Sequence, residues 1–218
     1  MLGLGLWGRV ISGLLDALAP PGCAACDAST VDAFCAACGQ PAPSAERWLD
    51  GLPLVVAGSY VPPLSTAIVR FKYEGRAELA RSLAPLVVPA IRQLELPLGT
   101  ALVPVPLHPR RLATRGYNQA ALLAQELAPR AGLDCDVRLL KRSRETERQV
   151  GKTRALRLTN ASGAFELRRK GPTSVVLVDD VVTTGSTVRA CAQALAQAEV
   201  QLVAVVALAH APEGRLAR

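Results

Sequence analysis

Aromatic residues are scarce in this sequence, which has two Trp, three Tyr and three Phe among its 218 residues. Large rings therefore cannot fill the interior, and the core must consist mainly of Leu, Val and Ala side chains. Hydrophobic residues make up 50% of the chain and charged residues 20%. Such a composition is typical of a globular protein and excludes an intrinsically disordered one.

The sequence also lacks an apolar run long enough to cross a bilayer, which takes about 20 consecutive residues. Residues 1–18 are rich in Leu and Val, but Arg9 and Asp16 interrupt them, and the basic start and cleavage site of a secretory signal are missing. We expect residues 1–19 to form an amphipathic helix that packs on the protein or on a partner, with membrane-surface docking as the alternative. The expected compartment is the cytoplasm.

Acidic residues are outnumbered by basic ones, 18 to 25, which gives a net charge of +7. This excess favours phosphorylated ligands or nucleic acid as partners. Many of the basic residues lie in 141–157, whose first part has no apolar stripe of helical period. Three interpretations stay open for this segment: a mobile loop that closes over a phosphorylated ligand, a solvated helix face, and a strip that contacts nucleic acid.

Two common phosphate-binding motifs are absent. A Walker A loop needs a glycine five residues before Gly151-Lys152-Thr153, and Thr146 stands there instead. No G-x-G-x-x-G follows a strand in the region of the predicted sheet. A phosphate site, if the chain has one, must be built in another way.

Residues 175–188, VVLVDDVVTTGSTV, supply such a site. A buried strand ends at Asp179 and Asp180, and the carboxyl ends of strands are where open α/β sheets bind ligands. The start of the next helix offers free N–H groups to an anion, together with the hydroxyls of the turn. The two carboxylates would repel phosphate and suit the vicinal hydroxyls of a ribose. The predicted anion-binding residues are Thr183, Thr184, Gly185, Ser186 and Thr187.

Strand and helix signals alternate along the rest of the chain. The predicted helices are 65–72, 76–94, 118–131 and 186–198, and the predicted strands are 101–106, 135–140, 174–178 and 201–208. Asn118 is the expected N-cap of the third helix, which should stop at Gly132. Alternation with continuous apolar strands predicts an α/β fold, a parallel sheet flanked by helices.

Arginines cluster in LHPRRLATRGYNQ, between a predicted strand and the next helix. At the carboxyl end of a strand, Arg110, Arg111 and Arg115 could grip pyrophosphate oxygens, although solvated surface side chains are the alternative. For His108 a structural role and a contact with ligand are equally compatible with the sequence.

Four of the six cysteines form two C-x-x-C pairs, Cys23 with Cys26 and Cys35 with Cys38. This pattern predicts a structural zinc site with four thiolate ligands, and disulfides or an iron–sulfur cluster are the alternatives. The other two, Cys135 and Cys191, are expected in the core. Prolines cluster after the pairs, so we predict a zinc module at 20–43, a linker at 44–64 and the α/β domain at 65–218.

VLVDDVVTTGST resembles the signature with which type I phosphoribosyltransferases bind phosphoribosyl pyrophosphate (PRPP): a hydrophobic strand, two acids, two variable residues and T-T-G-x-T. The chain as a whole resembles the ComF family, in which such a domain follows a short cysteine-rich zinc module. The resemblance covers residues 20–208 and includes FKYEGR at 71–76 and PVPLHPRRLATRGYNQA at 104–120.

The resemblance implies PRPP with Mg²⁺ as the ligand. Asp179 and Asp180 would hold the ribose hydroxyls, residues 183–187 the 5′-phosphate, and Leu107–Arg111 the pyrophosphate. It also implies a type I phosphoribosyltransferase-like fold, a structural zinc and a role in DNA uptake for natural transformation.

Thr183 departs from the pattern of purine-salvage enzymes, which usually carry an acidic residue there. Purine salvage is therefore not expected, and the sequence assigns no catalytic residue. The alternative is a non-catalytic protein that binds nucleic acid such as single-stranded DNA, or other competence proteins, and uses the site for a regulatory ligand or a terminal phosphate.

Overall fold

The computed structural model describes residues 22–45, 47–142 and 164–211. The predicted helix at 1–19 and the basic segment from residue 143 onward lie outside these ranges. Within them, none of the helices has the length and apolar character that a membrane crossing demands.

The described residues alternate between strands and helices. The strands are β1 (Trp48–Leu49), β2 (Leu52–Ser59), β3 (Ala101–Pro104), β4 (Asp134–Cys135), β5 (Leu140–Arg142), β6 (Phe165–Leu167), β7 (Ser174–Val178), β8 (Val181–Val182) and β9 (Gln201–His210). The helices are α1 (Leu64–Tyr73), α2 (Leu79–Leu83), α3 (Val88–Ile91), α4 (Pro109–Arg115), α5 (Gln119–Ala131) and α6 (Ser186–Gln197), with a 3₁₀ turn at Ala84–Leu86.

The main sheet has the strand order β1-β2-β9-β7-β3-β4, and β8 also pairs with β9. All of its pairs are parallel except the hairpin of β1 and β2. Every residue of β7 and β3 is buried. The apolar core forms two clusters, each combining side chains of the central strands with helices. The predicted α/β class, a parallel sheet flanked by helices, is therefore confirmed.

Most predicted elements are present, and α5 has the expected ends. The Asn118 side chain accepts a hydrogen bond from the backbone N–H of Ala120 at 3.1 Å, and Gly132 follows the last turn with a left-handed φ of 71°. Only glycine takes such a φ without a steric penalty, so the helix stops there.

Three segments differ from the prediction. The single helix predicted at 76–94 is split into α2, a 3₁₀ turn and α3, because Pro85 and Pro89 supply no N–H to a continuous helix. The strand predicted at 135–140 divides between the main sheet and a separate hairpin of β5 with β6. The segment 44–64, predicted as a linker, contains β1 and β2, and β2 is hydrogen-bonded into the main sheet beside β9.

The parallel strands β2, β9, β7 and β3 end at one edge of the sheet. Pro104 at the end of β3 lies beside Val178 at the end of β7. The backbone N–H of Val105 donates to the Val178 carbonyl at 2.8 Å. The loops after these strands therefore meet at the carboxyl edge, where open α/β sheets place their ligands.

Candidate ligand site and cysteine cluster

The acid pair, Asp179 and Asp180, follows β7 directly at the carboxyl edge. The Asp179 N–H donates to the Val206 carbonyl at 2.9 Å, and the Asp180 carbonyl accepts from the Leu208 N–H at 3.1 Å. The Asp180 N–H donates to the Asp179 carboxylate at 2.8 Å. These bonds to β9 fix the backbone of the pair, so its two carboxylates have a set position relative to the sheet.

Lys72 is a site residue that the sequence reasoning missed. Its ammonium Nζ lies 2.8 Å from Asp180 Oδ1, and the two side chains are only 17% and 12% exposed. Lys72 follows Leu64 and Ile68 at intervals of four residues, so it falls on the buried face of α1. A lysine on an apolar stripe needs a buried partner, and this was the signal that could have found it.

The charges of the site shift the pKa values of two groups. Burial lowers the pKa of Lys72, but the charge of Asp180 and the hydrogen bond to it outweigh burial and raise the pKa overall. Burial, and then the neighbouring charge of Asp180, raise the pKa of Asp179 to about 7. Near neutral pH the site therefore holds one ion pair and a second carboxyl that is close to its titration point.

The raised pKa of Asp179 predicts a pH-dependent stability. An unfolded Asp loses its proton near pH 4, whereas the folded Asp179 keeps it to about pH 7. The folded state binds more protons in this window, so this group makes the protein less stable as pH rises from 4 to 7. We expect a decrease of at least about 1 kcal/mol in the free energy of unfolding, measured by urea denaturation. Asp179→Asn should flatten that part of the curve, and an unchanged curve would contradict the assignment.

The predicted anion-binding residues form the turn before α6. Gly185 is the N-cap of this helix with a φ of 73°. Because it is a glycine, it has no side chain that could accept a hydrogen bond from the first N–H groups of the helix. The Thr184 hydroxyl accepts from the Ser186 N–H across 3.4 Å. Gly185 is buried, Ser186 is exposed, and Thr183, Thr184 and Thr187 are partly buried. The turn thus presents backbone amide groups and hydroxyls at a helix start, an arrangement that suits an anion.

The hairpin of β1 and β2 packs against this turn. The guanidinium of Arg189, in the first turn of α6, donates to the Thr184 carbonyl at 2.5 Å and to the Asp50 carboxylate at 2.7 Å. A Cβ placed on Gly185 would lie 2.8 Å from Leu49 Cδ1. The shape of the turn therefore depends on contacts with a hairpin more than 130 residues away in sequence.

The basic residues after β3 form the exposed helix α4. His108 is its N-cap, and His108 Nδ1 accepts from the Arg110 N–H at 3.2 Å, a structural role. Arg110 and Arg111 are exposed in the first turn. Arg115 bonds to Gln119 at 3.2 Å and lies 4.8 Å from the centre of the Tyr73 ring. Contact of Arg110 and Arg111 with pyrophosphate stays a prediction.

The four predicted metal ligands come together. The sulfur atoms of Cys23, Cys26, Cys35 and Cys38 all lie within 4.8 Å of one another. The sulfurs of Cys26 and Cys35 are 3.7 Å apart. Tetrahedral zinc with bonds of about 2.3 Å separates its thiolates by about 3.8 Å, so the cluster could bind zinc. A disulfide would need about 2.05 Å, and all four cysteines are free.

The other two cysteines have no place in this cluster. Cys191 is fully buried in α6, as predicted. Cys135 is partly buried and packs against the core, and burial raises the pKa of its thiol to about 11.

Comparison with known proteins identifies the family to which the chain is related. Residues 112–218 match the phosphoribosyl transferase domain family. Competence protein F of Haemophilus influenzae is 37% identical over 166 residues, which cover 72% of each protein. The chain belongs to the ComF family. Another relative of this ComF-family chain is DNA utilization protein YhgH of Escherichia coli K12, 38% identical over 189 residues that cover 79% of the chain and 83% of that protein.

The ComF-family chain is also similar to solved structures of phosphoribosyltransferases. Adenine phosphoribosyltransferase from Leishmania tarentolae aligns with a TM-score of 0.38 and 16% identity, over 66% of this chain and 75% of that one. The family match at residues 112–218 gives the chain the type I phosphoribosyltransferase fold, and the described residues add a four-cysteine cluster near the N-terminus. Lys72 and Asp50 both lie outside the matched domain, residues 112–218.

Proposed function

We propose that this ComF-family chain binds PRPP and acts in DNA uptake during natural transformation. The observation that carries the proposal is the acid pair beside the open start of α6, both at the carboxyl edge of the sheet. The printed names of the relatives, competence protein F and DNA utilization protein, support the cellular role. We expect the protein to act in the cytoplasm.

Each part of PRPP has a chemically matched partner in the proposal. The 5′-phosphate accepts hydrogen bonds from the amides and hydroxyls of residues 183–187. The ribose hydroxyls donate to Asp179 and Asp180. The pyrophosphate is placed against Leu107–Arg111, where Arg110 and Arg111 are exposed at the same edge. We propose binding alone, since no described group can be assigned as a nucleophile or a general base.

The proposed function includes two metal ions, a structural zinc and a Mg²⁺ that binds together with PRPP. Zinc on the four-cysteine cluster would have a structural role, since four thiolates leave no open position. Mg²⁺ would enter with the ligand, bound to its pyrophosphate oxygens and to water. Asp180 is already paired with Lys72, so the acid pair offers little to a cation of its own.

Calorimetric titration with PRPP and Mg²⁺ tests the proposal. We expect binding by the wild type, and at least tenfold weaker binding by the variant with Asp179→Asn and Asp180→Asn, because neutral amides are poorer acceptors for the diol. The control is Asp134→Asn. Asp134 is exposed on β4, beside the first residue of β3 and so at the opposite edge of the sheet; this change should leave the affinity unaltered.

The second candidate is a non-catalytic protein that binds nucleic acid or a protein partner. It is favoured by the exposed ring of Tyr73 beside Arg115, whose helix also carries the exposed Arg110 and Arg111. If the wild type gives no heat with PRPP and Mg²⁺, the first proposal fails and this one takes its place. If the double Asn variant loses PRPP but still binds single-stranded DNA, the chain has two separate sites.

A further inference from the structure

Arg70 connects the cysteine cluster to the sheet domain. This arginine of α1 is only 8% exposed. Its Nη1 donates to the Ala24 carbonyl at 3.0 Å, and its Nη2 donates to the Asp27 carboxylate. Ala24 lies between the first two cysteines, and Asp27 follows the second. A buried guanidinium thus depends on the backbone and side chain of this first cysteine turn for two of its partners.

The position of Asp27 depends in turn on the shape of the cysteine turn. The Asp27 N–H donates to the Cys23 carbonyl at 2.9 Å, and its φ is 64°, a left-handed value. The carboxylate also accepts from Arg76 at 2.9 Å. Because Cys23 and Cys26 flank this turn, a metal that ties their two sulfurs together also fixes the residues that hold Arg70.

The same helix carries Lys72 to the acid pair. Lys72 follows Arg70 by two residues in α1, and its ammonium lies 2.8 Å from Asp180. Apolar packing joins the same parts: Cys23, Ala24 and Phe34 belong to one buried cluster with the core-facing side chains of α1. A displacement of the cysteine turn would therefore be transmitted through α1 to the ion pair in the ligand site.

We infer that Arg70 is a positioning residue that couples the metal-loaded cysteine cluster to the ligand site through α1. The inference rests on the proposed function, because it needs PRPP to bind at the acid pair. Linkage is reciprocal, so a metal that strengthens PRPP binding must itself be held more tightly when PRPP is bound.

The test measures the binding of zinc and requires no enzymatic activity. Purified full-length protein is first analysed for zinc, and one ion per chain is expected. The zinc Kd is then measured by equilibrium competition with a chromophoric chelator, with Mg²⁺ alone and with Mg²⁺ plus saturating PRPP. We expect PRPP to lower the zinc Kd about fivefold or more, the lower end of ordinary coupling between two sites.

Variants assign the coupling to Arg70. In Arg70→Gln the ratio of the two zinc Kd values should fall to about 1, while Arg70→Lys, which can reach only one partner, should give an intermediate ratio. Glu74→Gln is the matched control, because Glu74 bonds the same guanidinium at 3.2 Å but is 53% exposed and lies outside the cysteine turn; it should keep the wild-type ratio. A purely structural role would change both Kd values and leave their ratio intact.

Each negative result would contradict a different claim. If PRPP binds but does not lower the zinc Kd, or if Arg70→Gln keeps the wild-type ratio, the inference is overturned and the proposed function stands. Protein purified without zinc also overturns it. If PRPP does not bind at all, the proposed function itself fails. If Arg70→Gln does not fold, Arg70→Lys decides the question.

Discussion

Replacing Lys72 with Met should lower the free energy of unfolding by about 3 kcal/mol. The change leaves the mostly buried carboxylate of Asp180 without its cation, and Asp179 stands beside it. Breaking a buried ion pair from one side is costly because the remaining charge is neither solvated nor paired. Urea denaturation at pH 8 would measure the loss, and at pH 5.5 it should be smaller, because protonation of Asp179 then removes one negative charge.

The control for this prediction is Lys141→Met. Lys141 pairs with Glu166 at 3.0 Å, but the two side chains are 40% and 51% exposed, so the loss should stay below about 1 kcal/mol. Adding Asp180→Asn to Lys72→Met should restore part of the stability, since the unpaired charge is gone. Equal losses for the two lysine variants would show that burial of the Lys72 pair has no energetic consequence.

Replacing Gly185 with Ala should destabilise the protein by about 2 kcal/mol. Roughly 1 kcal/mol comes from the left-handed φ of 73°, which a Cβ disfavours. About another 1 kcal/mol comes from the new methyl group, which would lie 2.8 Å from Leu49 Cδ1 and 3.2 Å from Arg189 Nη1. Thermal and urea denaturation would measure the total.

Gly132→Ala separates the two contributions. Its φ of 71° is nearly the same, but nothing lies within 4 Å of the added Cβ, so only the backbone cost of about 1 kcal/mol should remain. Leu49→Ala combined with Gly185→Ala should recover part of the difference by removing the clash. If the two glycine variants lose equal stability, the contact with the hairpin imposes no constraint on the turn.

Local signals in the sequence were enough for much of the fold. The run at 174–178 is a fully buried strand, and Asn118 and Gly132 bound α5 as expected. These features depend on neighbours within one or two turns of chain. The helix predicted at 76–94 was wrong because its hydrophobic stripe is real but Pro85 and Pro89 interrupt the hydrogen bonds.

The candidate site was predicted only where its residues are consecutive. The acid pair and the turn at 183–187 could be read from one segment, and the four cysteines from their spacing. The partners of these residues come from distant parts of the chain: Lys72 for Asp180, and Asp50 for Arg189. The spacing of α1 marks Lys72 as buried, but it does not identify Asp180 as its partner, since tertiary packing alone brings such pairs together.

Because β9 lies in the middle of the sheet, the sheet cannot be completed until this strand has been synthesised. This strand lies between β2 and β7, yet the ribosome makes it after every other described strand. At about 5–20 residues per second, the apolar strand β2 waits roughly 7–30 seconds for its parallel neighbour after it has been synthesised. During that interval the edge of β2 that pairs with β9 in the folded protein has no partner, and an unpaired apolar strand edge favours aggregation of the nascent chain.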